Sequence, residues 1–61
     1  MTIAREPIRE VKFAGETIQV FHYPPDTLVE INGHYFGFYT TPDAGVNAAQ
    51  KHIIQQLEEK N

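Results

Sequence analysis

Cysteine is absent from this 61-residue chain, and so is tryptophan. Without thiols the chain cannot form a disulfide, and it offers no thiolate to a metal ion. Long apolar runs are missing as well, because no stretch approaches the roughly 20 residues that cross a bilayer. The first ten residues also lack the apolar segment of a secretory signal. We therefore expect a cytoplasmic protein that has no membrane segment.

Basic residues are few. Five Lys and Arg residues stand against eight Asp and Glu residues, which gives a formal net charge of −3. This charge opposes attraction to phosphate backbones and anionic lipids, so it disfavours nucleic acid as a partner and argues against a membrane. A chain of about 60 residues buries only about 60% of its unfolded surface. Because its core must be small, we expect stabilisation by a protein partner or by a second copy of the chain.

Motifs of catalysis and metal binding are also missing. His22, His34 and His52 lack a spacing typical of a joint metal site, and no cysteine can complete one. Gly33 and Gly37 are explained by a turn and by strand packing, since they do not form a phosphate-binding loop. No nucleophile lies beside a base in an evident cleft. We expect a protein that is not an enzyme and that has no catalytic residue, no metal site and no cofactor.

What the sequence does contain is a strong β-hairpin signal from Thr27 to Tyr39. Two runs rich in β-branched and aromatic residues flank Asn32-Gly33. This dipeptide tolerates positive φ and suits a type I′ turn, which matches the natural twist of paired strands. The pattern predicts strands at about 27–31 and 34–39, and the rest of the chain can be arranged around this hairpin.

Further elements lie on both sides of the hairpin. Alternating residues predict strands at about 8–13 and 16–23, joined by Ala14-Gly15 and ended by two prolines. Thr41 is a candidate N-cap and Pro42 suits the first position of a helix over about 42–59. Gly45 in this helix indicates a close approach of the backbone to a neighbour. The predicted fold is α+β, an antiparallel meander of three to four strands packed on one C-terminal helix.

The predicted unit is a single domain over residues 1–61, in which residues 1–7 form a flexible N-terminal arm. A hairpin with Asn32 and Gly33 as its two loop residues pairs Val29 with Phe36. Extending this register, with Tyr23 aligned to Leu28, gives an inner face for the helix to cover. The predicted inner face contains Val11, Phe13, Ile18, Val20, Val29, Ile31, Phe36 and Phe38, under helix residues Val46, Ala49, Ile53 and Leu57.

The opposite, outer face receives a cluster of large apolar side chains. Antiparallel sheets commonly carry polar residues on a face that no other layer covers. The aromatic residues there have two interpretations: they favour strands through packing across the sheet, or they form a surface that binds another chain. We favour a non-catalytic, regulatory or accessory module that binds a protein partner or itself. The predicted partner-binding residues are Phe21, Tyr23, Leu28, Tyr35 and Tyr39.

The run from Tyr35 to Asp43, followed by Ala48, resembles the last strand and helix start of AP2-type domains. Related three-stranded arms occur in tyrosine recombinases of mobile elements, and the resemblance covers about residues 28–54. It implies a sheet whose open face meets the major groove of DNA. A nucleic-acid-binding accessory protein is therefore the alternative hypothesis. Those domains place arginine and tryptophan on their strands, whereas the corresponding positions here are Phe21, Tyr23, Leu28, Glu30 and Tyr35.

Overall fold

Four antiparallel strands and one helix make up the chain in the computed structural model, which describes residues 6–59. The strands lie in the order β1-β2-β3-β4, so each pairs with its neighbour in the sequence. The helix contacts all four strands on one face of the sheet. The predicted α+β meander with one C-terminal helix is confirmed. Its elements are β1 (Arg9–Phe13), β2 (Glu16–Tyr23), β3 (Asp26–Ile31), β4 (His34–Tyr39) and α1 (Pro42–Glu59).

The predicted arm, residues 1–7, lies largely outside the described residues, which include only Glu6 and Pro7 of it. The next residue already joins the sheet, because the N–H of Ile8 donates to the carbonyl of Val20 at 2.7 Å. β1 therefore continues directly from the described part of the N-terminal segment.

Two of the three hairpin turns have the geometry of type I′. Ala14 and Gly15 have φ values of 52° and 81°, and Asn32 and Gly33 have values of 54° and 82°. Positive φ at both central residues defines this turn, so the predicted Asn32-Gly33 turn is confirmed. The Asn32 side chain also accepts a hydrogen bond from the N–H of Thr17 at 2.9 Å. This hydrogen bond connects the turn between β3 and β4 to the start of β2.

The third turn is formed by Pro24 and Pro25, which are joined by a cis peptide bond. Tyr23 pairs with Asp26 across this turn, and Phe21 pairs with Leu28. The predicted alignment of Tyr23 with Leu28 is therefore wrong by two residues. Since side chains alternate with a period of two, a shift of two residues leaves each side chain on its predicted face.

The helix begins as predicted. The N–H of Ala44 donates to the Thr41 hydroxyl at 3.1 Å, and the N–H of Gly45 donates to the Thr41 carbonyl at 3.1 Å. These bonds satisfy donors of the first turn, which have no partner inside the helix. Asp43, also in the first turn, forms an ion pair with Arg9 of β1. The start of the helix is thus attached to the first strand of the sheet.

Gly45 marks the closest approach of the helix to the sheet. A Cβ atom at this position would lie 2.5 Å from Cγ2 of Val29, which is fully buried in β3. Ordinary contacts of a Cβ atom are about 1 Å longer. The close backbone approach predicted for Gly45 is confirmed, and glycine is explained here by the space that it leaves for Val29.

The core lies between the helix and the inner face of the sheet. Leu57, predicted to belong to it, is 48% exposed, and the last core residue of the helix is Ile53. An 18-residue helix is about 27 Å long, whereas four strands span only about 14 Å across, so packing ends before the helix does. Buried core residues are Ile18, Val20, Val29, Val46, Ala49 and Ile53, with Val11, Phe13, Ile31, Phe36 and Tyr39 partly buried against them.

A β-bulge interrupts the pairing of β3 with β4. Glu30 pairs with Tyr35 and Val29 pairs with Gly37, so Phe36 is an extra residue with no partner opposite it. The predicted pairing of Val29 with Phe36 is therefore wrong. Phe36 still packs against the core, as predicted.

The extra residue reverses the faces of the strand residues that follow it. Phe38 now pairs with Leu28 and lies on the outer face, where it is 46% exposed. Tyr39 pairs with the buried Thr27 and packs against the core. The predictions of Phe38 in the core and of Tyr39 on the outer face are both wrong, because an uninterrupted alternation was assumed.

Candidate functional site: an aromatic sheet face

The outer face, on the side opposite α1, carries a cluster that we call the aromatic patch: Phe21, Tyr23, Leu28, Tyr35 and Phe38. No helix or strand among residues 6–59 covers it. Tyr23, Tyr35 and Phe38 are 56%, 66% and 46% exposed. Large aromatic side chains with this exposure contrast with the polar residues usual on an open sheet face. The patch is therefore the most distinctive surface of the described chain.

Phe38 lies at the centre of the patch. Its ring centroid lies 5.2 Å from that of Tyr23 and 5.8 Å from that of Tyr35, with interplanar angles of 56° and 57°. These tilted contacts fall in the range in which aromatic rings attract each other. The three rings form a continuous aromatic surface, although Tyr23 and Tyr35 lie on strands that are not adjacent.

Two further residues form the floor of the patch. Phe21 on β2 pairs with Leu28 on β3, and Leu28 pairs with Phe38 on β4. Phe21 is buried and Leu28 is partly buried. An apolar row thus crosses three neighbouring strands on the outer face.

Four of the five predicted partner-binding residues lie together on this face: Phe21, Tyr23, Leu28 and Tyr35. The fifth, Tyr39, lies on the helix side, where its ring stacks on Phe36 at 6.0 Å with an interplanar angle of 18°. Phe38 is the residue that the sequence reasoning missed. A glycine inside a strand, here Gly37, is a known sign of a bulge and was the available signal.

A shallow cavity of about 370 Å³ opens beside the patch. Phe21 and Leu28 provide apolar surface to it, and Tyr23 forms part of its wall. Glu6 and His22 supply polar groups. The cavity therefore joins an aromatic surface to a carboxylate that precedes β1.

Near the β1–β2 turn the outer face carries polar side chains that bond to one another. The amide of Gln19 donates to the Glu10 carboxylate at 3.0 Å. The ammonium group of Lys12 donates to the Thr17 hydroxyl at 2.9 Å and lies 3.6 Å from the Glu10 carboxylate. The bonded polar groups thus lie on β1 and the first half of β2, whereas the aromatic patch lies on the end of β2, on β3 and along β4.

Positive charge is scarce around the patch. Of the Lys and Arg residues in the described chain, Lys12 is engaged by Glu10, Arg9 is paired with Asp43, and Lys51 lies on the helix. A surface that follows a phosphate backbone needs several basic groups along its path. The chemistry of this face therefore suits apolar and aromatic contacts better than phosphate contacts.

No three His, Cys, Asp or Glu residues of the described chain are grouped so that they could hold a metal ion. His52 instead packs against the ring of Phe36 at 5.1 Å between centroids.

Among residues 6–59, no helix combines the length and the apolar character that a membrane crossing requires. The resemblance of residues 28–54 to AP2-type domains stays a prediction. Comparison with protein-family models, curated proteins and solved structures finds no match to this chain.

Proposed function

We propose that this protein is a small, non-catalytic interaction module that binds another protein chain through the aromatic patch. The observation that carries the proposal is the exposure of three mutually contacting rings, Tyr23, Tyr35 and Phe38, on a sheet face that lacks a covering layer among the described residues. Burying such rings releases ordered water over a large area, and tyrosine and phenylalanine are enriched at interface cores.

The arrangement of the outer face supports this proposal in a second way. Protein interfaces commonly have an apolar centre that is bordered by polar groups. Here the face that carries the aromatic patch also carries polar side chains, of which Glu10, Lys12 and Gln19 already bond to one another or to Thr17. These polar groups retain partners when water leaves the neighbouring rings, so their desolvation costs less than that of unpaired groups.

The test is affinity capture from the native host, comparing the natural protein with a Phe38→Ser variant. Phe38 touches both exposed tyrosines, so the variant should lose most of the captured partner. Ile54→Ser is the matched control, because Ile54 is 43% exposed and lies on the helix, away from the patch. Equal capture by all three proteins would contradict the proposal. Sedimentation over a range of concentrations tests in parallel whether the partner is a second copy of the chain.

Nucleic acid is the alternative partner, and a separate experiment tests it. Fluorescence anisotropy with labelled single-stranded and duplex oligonucleotides, repeated at about 50 and 200 mM salt, measures nucleic-acid binding directly. Contacts with several phosphates weaken steeply over this range, whereas docking through aromatic rings changes little. Tight, salt-sensitive binding that Phe38→Ser abolishes would replace the protein-partner proposal with the nucleic-acid one.

A further inference from the structure

We propose that the cavity beside Tyr23 receives a cationic side chain, arginine or lysine, that the protein partner presents. The inference rests on the proposed function and names the chemistry of one anchor of that partner. It is carried by the combination of an apolar floor, an aromatic wall and a carboxylate in one cavity.

Each part of the cavity matches one part of such a side chain. Phe21 and Leu28 offer apolar surface to the aliphatic stem, which long basic side chains bury while their charged end stays polar. The ring of Tyr23 can attract a cation through its electron-rich face. The carboxylate of Glu6 can accept hydrogen bonds from a guanidinium or ammonium group, and such charge-assisted bonds are stronger than neutral ones.

No lysine or arginine of the described residues lines this cavity. No hydrogen bond or ion pair joins Glu6 to another residue within 6–59, and the basic residue of the outer face, Lys12, is held by Glu10 and Thr17. Asp26, the first residue of β3, pairs with Tyr23 of the cavity wall, so a second acidic residue lies opposite a lining residue. A formal charge of −3 on the chain further favours the approach of a basic partner.

An NMR titration with two small probes tests the inference. Nα-acetyl-arginine amide carries the guanidinium, and Nα-acetyl-citrulline amide has the same shape without the charge. At pH 7.5 the arginine probe should shift the amide signals of Phe21, Tyr23 and Leu28. The citrulline probe should bind at least about threefold more weakly, in line with the energy of an exposed charge pair.

Two variants with the same change in net charge identify the contact. Glu6→Gln should weaken the arginine probe by about threefold and leave the citrulline probe unchanged. Glu58 is exposed near the C-terminal end of the helix, so Glu58→Gln should leave the binding of both probes unchanged. The spectra of the free variants show directly that each is folded. Equal binding of the two probes, shifts confined to other residues, or equal effects of the two variants would overturn the inference.

These results are distinguishable from failure of the proposed function. Loss of partner capture in Phe38→Ser, together with unselective probe binding, would reject the cationic anchor and retain the interface. Selective binding of arginine that depends on Glu6 supports the anchor, whatever the identity of the captured partner.

Discussion

Replacing Gly45 with alanine should destabilise this protein, although alanine is the better helix former. In an exposed helix the exchange would stabilise by about 1 kcal/mol. Here the added Cβ atom would lie 2.5 Å from Cγ2 of Val29, a fully buried and β-branched side chain whose χ1 rotation is restricted. Overpacking of a core typically costs about 1–3 kcal/mol. The net loss should be about 1 kcal/mol, which lowers the midpoint of thermal unfolding by about 4–8 °C in a domain of this size.

The contact with Val29 can be isolated in a double-mutant cycle. Val29→Ala removes the atom that the new Cβ atom would meet, so Gly45→Ala should become stabilising in that background, by up to about 1 kcal/mol. Asn47→Ala is the matched control, because Asn47 is exposed on the same helix and gains helix propensity without a neighbour in the sheet. Urea unfolding followed by circular dichroism gives the free energies.

The sign of the effect decides whether the reasoning holds. A Gly45→Ala variant that unfolds at a higher temperature than the natural protein would refute the close packing of the helix on β3. The same conclusion would follow if the effect of Gly45→Ala were equal with valine and with alanine at position 29, because the two sites would then be uncoupled.

Three further predictions concern the turns, the helix cap and the register. Thr41→Ala should cost about 0.5–2 kcal/mol in urea unfolding because the N–H of Ala44 loses its acceptor, whereas Thr41→Ser should retain most of the stability. Ala14→Asn should raise the unfolding midpoint, by up to about 1 kcal/mol in free energy, since alanine is strained at a φ of 52° and asparagine tolerates this region; an unchanged midpoint would argue against a type I′ turn. Tyr39→Ser should cost about 2 kcal/mol and Tyr35→Ser less than about 1 kcal/mol, because only Tyr39 packs against the core. A larger loss of stability for Tyr35→Ser than for Tyr39→Ser would contradict the bulge and support an uninterrupted register.

Local chemistry explains why most of the fold follows from the sequence. Asn32-Gly33 specifies its own turn, and Thr41 with Pro42 specifies the start of the helix, through contacts within a few residues. The period of two along β2 then assigns Ile18 and Val20 to the core without knowledge of their partners. Because these signals do not depend on the rest of the molecule, the folded structure contains the turn, the helix start and the core residues that they predict.

Features that depend on tertiary packing could not be derived in this way. The run of Tyr35 to Tyr39 is compatible with either register, and only the observed one lets both Phe36 and Tyr39 pack on the helix side. Leu57 continues the apolar face of the helix, but its exposure depends on where the sheet ends. For the candidate site, β-propensity and face assignment gave four of the five predicted residues a common surface, while the central ring, Phe38, required knowledge of the bulge.

The bulge at Phe36 gives β4 one more side chain on the helix side of the sheet than its pairing with β3 requires. A strand without Phe36 would pass directly from Tyr35 to Gly37, so Phe38 would still lie opposite Leu28 and Tyr39 opposite Thr27. Deletion of this single codon would therefore remove an aromatic ring from the core and leave the same side chains on the outer face. In a meander this small, the bulge enlarges the core without changing the surface that the sheet presents.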